Sequence, residues 1–441
     1  MKIKTFKYSK SPQNEPFPGK DSLFRILAYV AICILILVFL CLTIHCKSVE
    51  SVAIKLDDRE GINHNRISLI HGDSVHKSSS NLPPKGRVVC YYVIPNNDSW
   101  INVLPPNSVD PYFCSHIITG FAQIFKSAVN PDKYDLAAYK AVIDLRNNNP
   151  SLKVLLSVQD FSSHGEFSKI VSSQLLREKF INSTLKFIND TGFDGLDLDW
   201  EFPAWPESNY YQVNNYTRLL QGFRDKINIS YKHLILSIDV AAPALIIHQS
   251  YEISSLAKIV DFVNLMSYDY HMYSKYLPLT GPNSPLYSSP RDAGYMLTMN
   301  VNWSANKWVE SGMPKEKINI GIPTYGHSYK LVNEDNNGWN APAIGFGNIG
   351  QDGFTTFGET CDFIRQKSTT HFLDDNYKVP YAFNGKEWIS YEDQQSVRLK
   401  ALYIQANGFG GAMIFSLNSD DFSNNCNNKA FPLTREIIRY I

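Results

Sequence analysis

The chain has 441 residues, and its 42 Lys plus Arg balance its 42 Asp plus Glu. A formal charge of zero excludes the basic excess by which nucleic-acid binders hold phosphate. The length accommodates one large domain with additional segments, or two to three ordinary domains.

Residues Ile26 to Ile44 are uncharged and mainly aliphatic. As a helix rising about 1.5 Å per residue they match a bilayer core of about 30 Å. Lys2, Lys4, Lys7, Lys10, Lys20 and Arg25 precede them, against only Glu15 and Asp21. This excess predicts a cytosolic N-terminus and an extracellular or lumenal remainder. The length of run and leader favours a retained signal anchor over a cleaved signal peptide. The expected layout is a cytoplasmic tail over 1–25, a transmembrane anchor over 26–46 and a polar, irregular stem over 47–85. It makes the chain a single-pass type II membrane protein with its main domain at 86–441.

From Arg87 onward short apolar runs alternate with helix-like segments, the rhythm of repeated βα units on a parallel sheet. Eight strands are expected: Val88–Val93, His116–Phe121, Lys153–Val158, Gly195–Asp199, Leu234–Asp239, Phe262–Met266, Ile318–Pro323 and Gly411–Phe415. Helices are expected between them, among them Leu136–Arg146, Ser173–Asn189, Tyr210–Ile227, Arg291–Ser311 and Asp393–Ala406. Eight such units predict an α/β fold, a closed (β/α)8 TIM barrel with its chemistry at the C-terminal strand ends. The gap between the last two strands is too long for one helix. Residues 329–391, with several Gly and many aromatics, are read as a small inserted α+β subdomain. No Ser/Thr/Pro-rich linker or Cys-rich module follows the last strand, so no separate ligand-binding module is expected.

The fourth strand carries the chemistry. In Asp194-Gly195-Leu196-Asp197-Leu198-Asp199-Trp200-Glu201 alternate residues share a face, so Asp197, Asp199 and Glu201 point one way and Leu196, Leu198 and Trp200 the other. Three carboxylates in a row repel one another, and burial penalises each. An exposed edge strand would not carry leucines on its back. A calcium loop would need a glycine at the sixth position, where Asp199 stands counting from Asp194. The row is therefore read as catalytic. Asp194 starts the strand and is assigned to structure.

This run, followed by Phe202-Pro203, resembles the signature of glycoside hydrolase family 18, the animal chitinases and chitinase-like lectins. The resemblance covers Arg87 to the C-terminus. It implies hydrolysis of β-1,4-linked N-acetylglucosamine polymers by a substrate-assisted retaining mechanism. Glu201 is then the general acid/base, Asp199 orients the sugar's acetamido group, and Asp197 tunes Asp199. Met266-Ser267-Tyr268-Asp269 resembles the family's Met-x-Tyr-Asp motif. It implies that Tyr268 contacts the acetamido carbonyl and Asp269 a sugar hydroxyl, with Met266 beside them. Tyr325, Tyr91 and Phe121 match aromatic positions of the family's cleft, and Val379-Pro380-Tyr381-Ala382 with Trp388 resembles the tail of its insertion. Three positions depart from the pattern. Phe415 stands where a Trp floor is usual, Gln159-Asp160-Phe161 replaces Gly-Gly-Trp, and Phe202 replaces a frequent Tyr. Phe161 and Phe415 are thus candidate sugar contacts of altered shape. The departures leave open a lectin-like protein that binds such glycans without cleaving them, though family lectins commonly lose the acid that Glu201 retains here.

Seven Cys occur, of which Cys90, Cys114, Cys361 and Cys426 lie in the barrel region. An even number in a lumenal domain predicts two disulfides, and four Cys allow three pairings. The resemblance implies Cys90–Cys114 and Cys361–Cys426. Sequons at Asn97, Asn182, Asn189, Asn215, Asn228 and Asn302 agree with an extracytosolic domain. The eleven His are scattered, so neither a metal nor a cofactor is expected. The expected partners are chitin or chitooligosaccharides and, through the anchor, a membrane.

Overall fold

The computed structural model describes residues 86–441 apart from 95–102, 132, 161–164, 207–208 and 427–428. Eight parallel strands close into a barrel: β1 (Arg87–Val93), β2 (His116–Phe125), β3 (Lys153–Gln159), β4 (Gly195–Asp199), β5 (Ile235–Ala241), β6 (Phe262–Met266), β7 (Ile318–Pro323) and β8 (Gly411–Phe415). Each strand pairs with the next, and β1 pairs with both β2 and β8. These strands are buried along most of their length, as near-continuous runs such as Val-Val-Cys-Tyr-Tyr require when both faces are covered.

Two packed layers result. Leu196, Leu198 and Trp200 join the layer between sheet and helices, where Trp200 stacks on Phe167 at 5.4 Å and meets Tyr216 edge-on at 5.3 Å. Val89, Tyr91, Ile118, Leu155, Phe262 and Met413 fill the barrel interior. Gly195 is required at the start of β4. A Cβ there would lie 2.4 Å from the Ile235 carbonyl oxygen on β5.

The helices begin and end close to their expected bounds, with one exception. In place of a helix over Arg291–Ser311 there is a 3-10 turn, Gly294–Thr298, and then a helix over Val301–Glu310. Gly294 has a left-handed φ of 57°, and the Asn300 side chain accepts from the Trp303 N–H, which caps a fresh start. Short helices at Glu166–Ser172, Ala244–Ser250 and Ile253–Ile259, and a last helix at Pro432–Tyr440, complete the outer layer.

Between β7 and β8 an antiparallel sheet is built from strands between Tyr325 and Ser390, with Tyr329, Trp339, Tyr381 and Trp388 in its core. Disulfides join Cys90 to Cys114 and Cys361 to Cys426. The second ties the helix Phe357–Ile364 of this insertion to the segment after β8.

Among the described residues no helix is long and apolar enough to cross a membrane. The expected type II membrane placement is corrected on that finding. The apolar run 26–44, with the tail and stem, lies outside the described residues.

Candidate active site

A cleft of about 920 Å³ opens at the C-terminal ends of the barrel strands. Phe121, Asp199, Glu201, Met266, Tyr268, Asp269, Tyr325 and Phe415 all line it. Asp197 and Tyr91 lie beneath, fully or almost fully buried in the barrel interior. Phe161 falls outside the described residues.

The strand register explains this convergence. Ser157, Asp197 and Ser237 are neighbours across β3, β4 and β5, and Gln159 faces Asp199 one inward position higher. Asp197 is held from three sides: Ser157 Oγ donates at 2.9 Å, Ser237 Oγ at 2.6 Å and the Tyr91 hydroxyl at 2.8 Å. Burial pushes its pKa up, and these three donors, with a bond to Asp239, oppose the rise. Asp199, 3% exposed, has one acceptor bond from Gln159 Nε2 at 2.7 Å, and its Oδ1 is buried without a partner. Burial, then the charges of Glu201 and Asp197, hold its pKa well above the usual carboxylate range.

Glu201 stands just beyond β4, open to solvent on the cleft side and walled by protein elsewhere. Desolvation and the Asp269 carboxylate raise its pKa, while a 3.1 Å bond from Gln159 Nε2 opposes the rise. A carboxyl with a raised pKa at a cleft wall is suited to general acid work. Asp269, with a left-handed φ of 56°, accepts from the Tyr325 hydroxyl and is bonded by His327 Nε2, both at 2.6 Å. Phe415 forms the floor, with ring centroids 5.4 Å from Tyr91, 5.7 Å from Tyr268 and 6.2 Å from Tyr325.

A further carboxyl, the buried Asp239 on β5, also lines the cleft and had no place in the sequence motifs. Both of its oxygens lie 2.6 Å from the Tyr91 hydroxyl, which is also 2.8 Å from Asp197 Oδ2. One phenolic proton cannot serve both carboxyls. Asp197 has two serine donors, whereas Asp239 has only the Asn264 amide besides Tyr91, so the second proton belongs on Asp239. Burial, then the charges of Asp197 and Asp199, drives its pKa well above the carboxylate range. His327 was missed as well, since a single His in a strand carries no spacing signal. Asp194, outside the cleft, pairs with Arg146 at 2.8 Å and accepts from the Val154 N–H at 2.9 Å. Among the described residues no cluster of His, Cys, Asp or Glu could hold a metal ion.

A sequence model of the glycosyl hydrolases family 18 matches residues 87–420, the whole barrel with its insertion. The chain belongs to glycosyl hydrolase family 18. Within this family it is 36% identical to human Chitinase-3-like protein 2 over 363 residues, covering 80% of this chain and 92% of the relative. It is 35% identical to mouse Chitotriosidase-1 over 344 residues, covering 75% and 73%. The structure superposes on human YKL-39, described as a pseudo-chitinase with retained chitooligosaccharide binding properties, with a TM-score of 0.74 at 33% identity. That match covers 80% of this chain and 99% of the other. The family 18 relatives thus include proteins named as chitinases and one described as a pseudo-chitinase.

Proposed function

We propose that the chain hydrolyses β-1,4-linked N-acetylglucosamine polymers with retention of configuration, Glu201 acting as general acid and then base. The observation that carries this reading is the position of Glu201 on the cleft wall, pKa raised, with Asp199 beside it and Asp197 anchored below. Glu201 gives its proton to the glycosidic oxygen as the C1–O bond breaks. The carbonyl oxygen of the sugar's own N-acetyl group bonds to C1, forming an oxazolinium ion, the substrate-assisted route of this family. Asp199 faces the acetamido N–H and balances the positive charge, and Tyr268 holds the acetamido oxygen. Water then attacks C1, ionised Glu201 takes its proton, and the oxazolinium opens. Phe415 and Tyr325 offer ring faces to the sugars, and Asp269 a hydroxyl acceptor.

The test is product release from a fluorogenic chitooligosaccharide across roughly pH 4 to 8, the range of a tuned carboxyl acid. Glu201→Gln is expected to abolish release and leave oligosaccharide binding intact. Absence of turnover by the natural chain at every pH, with binding retained, would favour the second reading. That reading is a chitin-type lectin, and the smaller Phe415 floor and the likeness to a pseudo-chitinase speak for it.

A further inference from the structure

Gln159 ends β3 at the position where the family resemblance leads one to expect glycine. Its side chain does what a glycine cannot. One NH2 group donates to Asp199 Oδ2 at 2.7 Å and to Glu201 Oε1 at 3.1 Å, so a single amide bridges the two groups on which the proposed chemistry depends. The orientation of the amide is fixed by charge. A flipped amide would set Oε1 against two carboxylate oxygens, and as it stands Oε1 is buried with no partner.

We propose that Gln159 is a positioning residue that straps Asp199 to Glu201 and restrains hydrolysis, because the strap is strongest when the pair carries no proton. The inference rests on the hydrolase reading above and deepens it. An N–H donor bonds an ionised carboxylate more strongly than a neutral carboxyl. Two such bonds from one amide favour the doubly ionised pair, which lacks the proton the glycosidic oxygen needs. To react, the pair must hold a proton and Glu201 must turn its carboxyl to the substrate, and both weaken the strap.

Apart from Gln159 no neutral donor reaches Glu201 among the bonds described. The other ionisable groups facing the pair are Asp197 on its own strand, Tyr91 on β1, Tyr216 on the helix Tyr210–Ser230, Asp239 on β5, Tyr268 and Asp269 after β6, and Tyr325 and His327 beyond β7. Tyr251 and Asp135 lie near or along the same cleft. His327 is the one base among them, and its Nε2 is engaged by Asp269. None of them stands in for the amide if it is removed.

The experiment compares pH profiles of kcat/KM for the full chain, Gln159→Met and Gln159→Gly. Met keeps the length of the side chain without a donor, and Gly empties the position. Both variants are expected to move the alkaline limb upward by about half to one pH unit, the scale of one charge-assisted hydrogen bond at a solvent-open site. On that limb the rate rises roughly three- to ten-fold. An alkaline limb that stays in place in both folded variants overturns the strap, as does a fall in rate at every pH. Should neither the natural chain nor the variants turn over, the hydrolase reading fails on its own account. The strap is then read from carbon-13 titration of the Asp and Glu carboxyls in the same full-length proteins. An upward move of the pair's last deprotonation in Gln159→Met supports it, and an unmoved titration overturns it.

Discussion

Replacing Asp239 by Asn tests whether the barrel floor holds the extra proton that the geometry demands. The Asn amide can donate to the Tyr91 oxygen while Tyr91 donates to Asp197, so the variant mimics protonated Asp239 at every pH. In the natural chain Asp239 is 3% exposed and its folded-state pKa lies well above the ordinary aspartate value of 3.8. The native state therefore binds more protons than the unfolded state between these two values, and stability falls as pH rises through that window. Each unit of elevation costs about 1.4 kcal/mol once the pH exceeds the folded-state value. The domain over 86–441 has an unfolding entropy of about 0.75 kcal/mol/K near its midpoint, so each unit is worth about 2 °C in Tm. Thermal melts of both proteins from pH 4 to 8 should show a small difference at the acid end that widens in favour of Asp239→Asn by at least about 2 °C. A Tm difference that is the same at every pH would refute the placement of the proton. So would a variant whose disadvantage grows with pH.

Three further outcomes follow from the packing. Cys361→Ser opens a bridge closing a separation of 65 residues, and chain entropy puts the loss at about 4 kcal/mol, or about 6 °C in a melt under oxidising conditions. Lys400→Met leaves Glu392 without its cation, with only the Ser396 hydroxyl donating to it, where the Lys400 and Glu392 side chains are 0% and 1% exposed, and urea unfolding should register a loss of about 3–5 kcal/mol. A loss below about 1 kcal/mol would mean that Glu392 is neutral in the native state. Phe415→Ala removes the ring in contact with Tyr91, Tyr268 and Tyr325, and calorimetry with an N-acetylglucosamine hexamer should show binding weakened roughly ten-fold.

The strands were legible because parallel strands covered on both faces read as unbroken apolar runs, and β4, β6, β7 and β8 have their expected limits. The acidic row was legible because period-two spacing puts Asp197, Asp199 and Glu201 on one face without knowledge of the rest. Asp239 was not. A single acid within Ile235-Leu236-Ser237-Ile238-Asp239-Val240 has no local partner, and its significance arises only when β5 lies against β4 with Tyr91 across the barrel. Gln159 was noticed as a departure in the pattern, but its bridge to two carboxyls depends on the register of β3 against β4. The short helices at Glu166–Ser172, Ala244–Ser250 and Ile253–Ile259 span about two turns each, too few for a helical period to register.

The back of the acidic strand has a consequence for the front. Trp200 is gripped between Phe167 and Tyr216, and the peptide leading to Glu201 leaves directly from it. The placement of Glu201, the proposed proton donor, is thereby tied to aromatic rings on two outer helices that do not line the cleft. Trimming either ring would disturb Glu201 from behind, so harmful changes in this protein are to be sought on the far side of the sheet as well as in the groove.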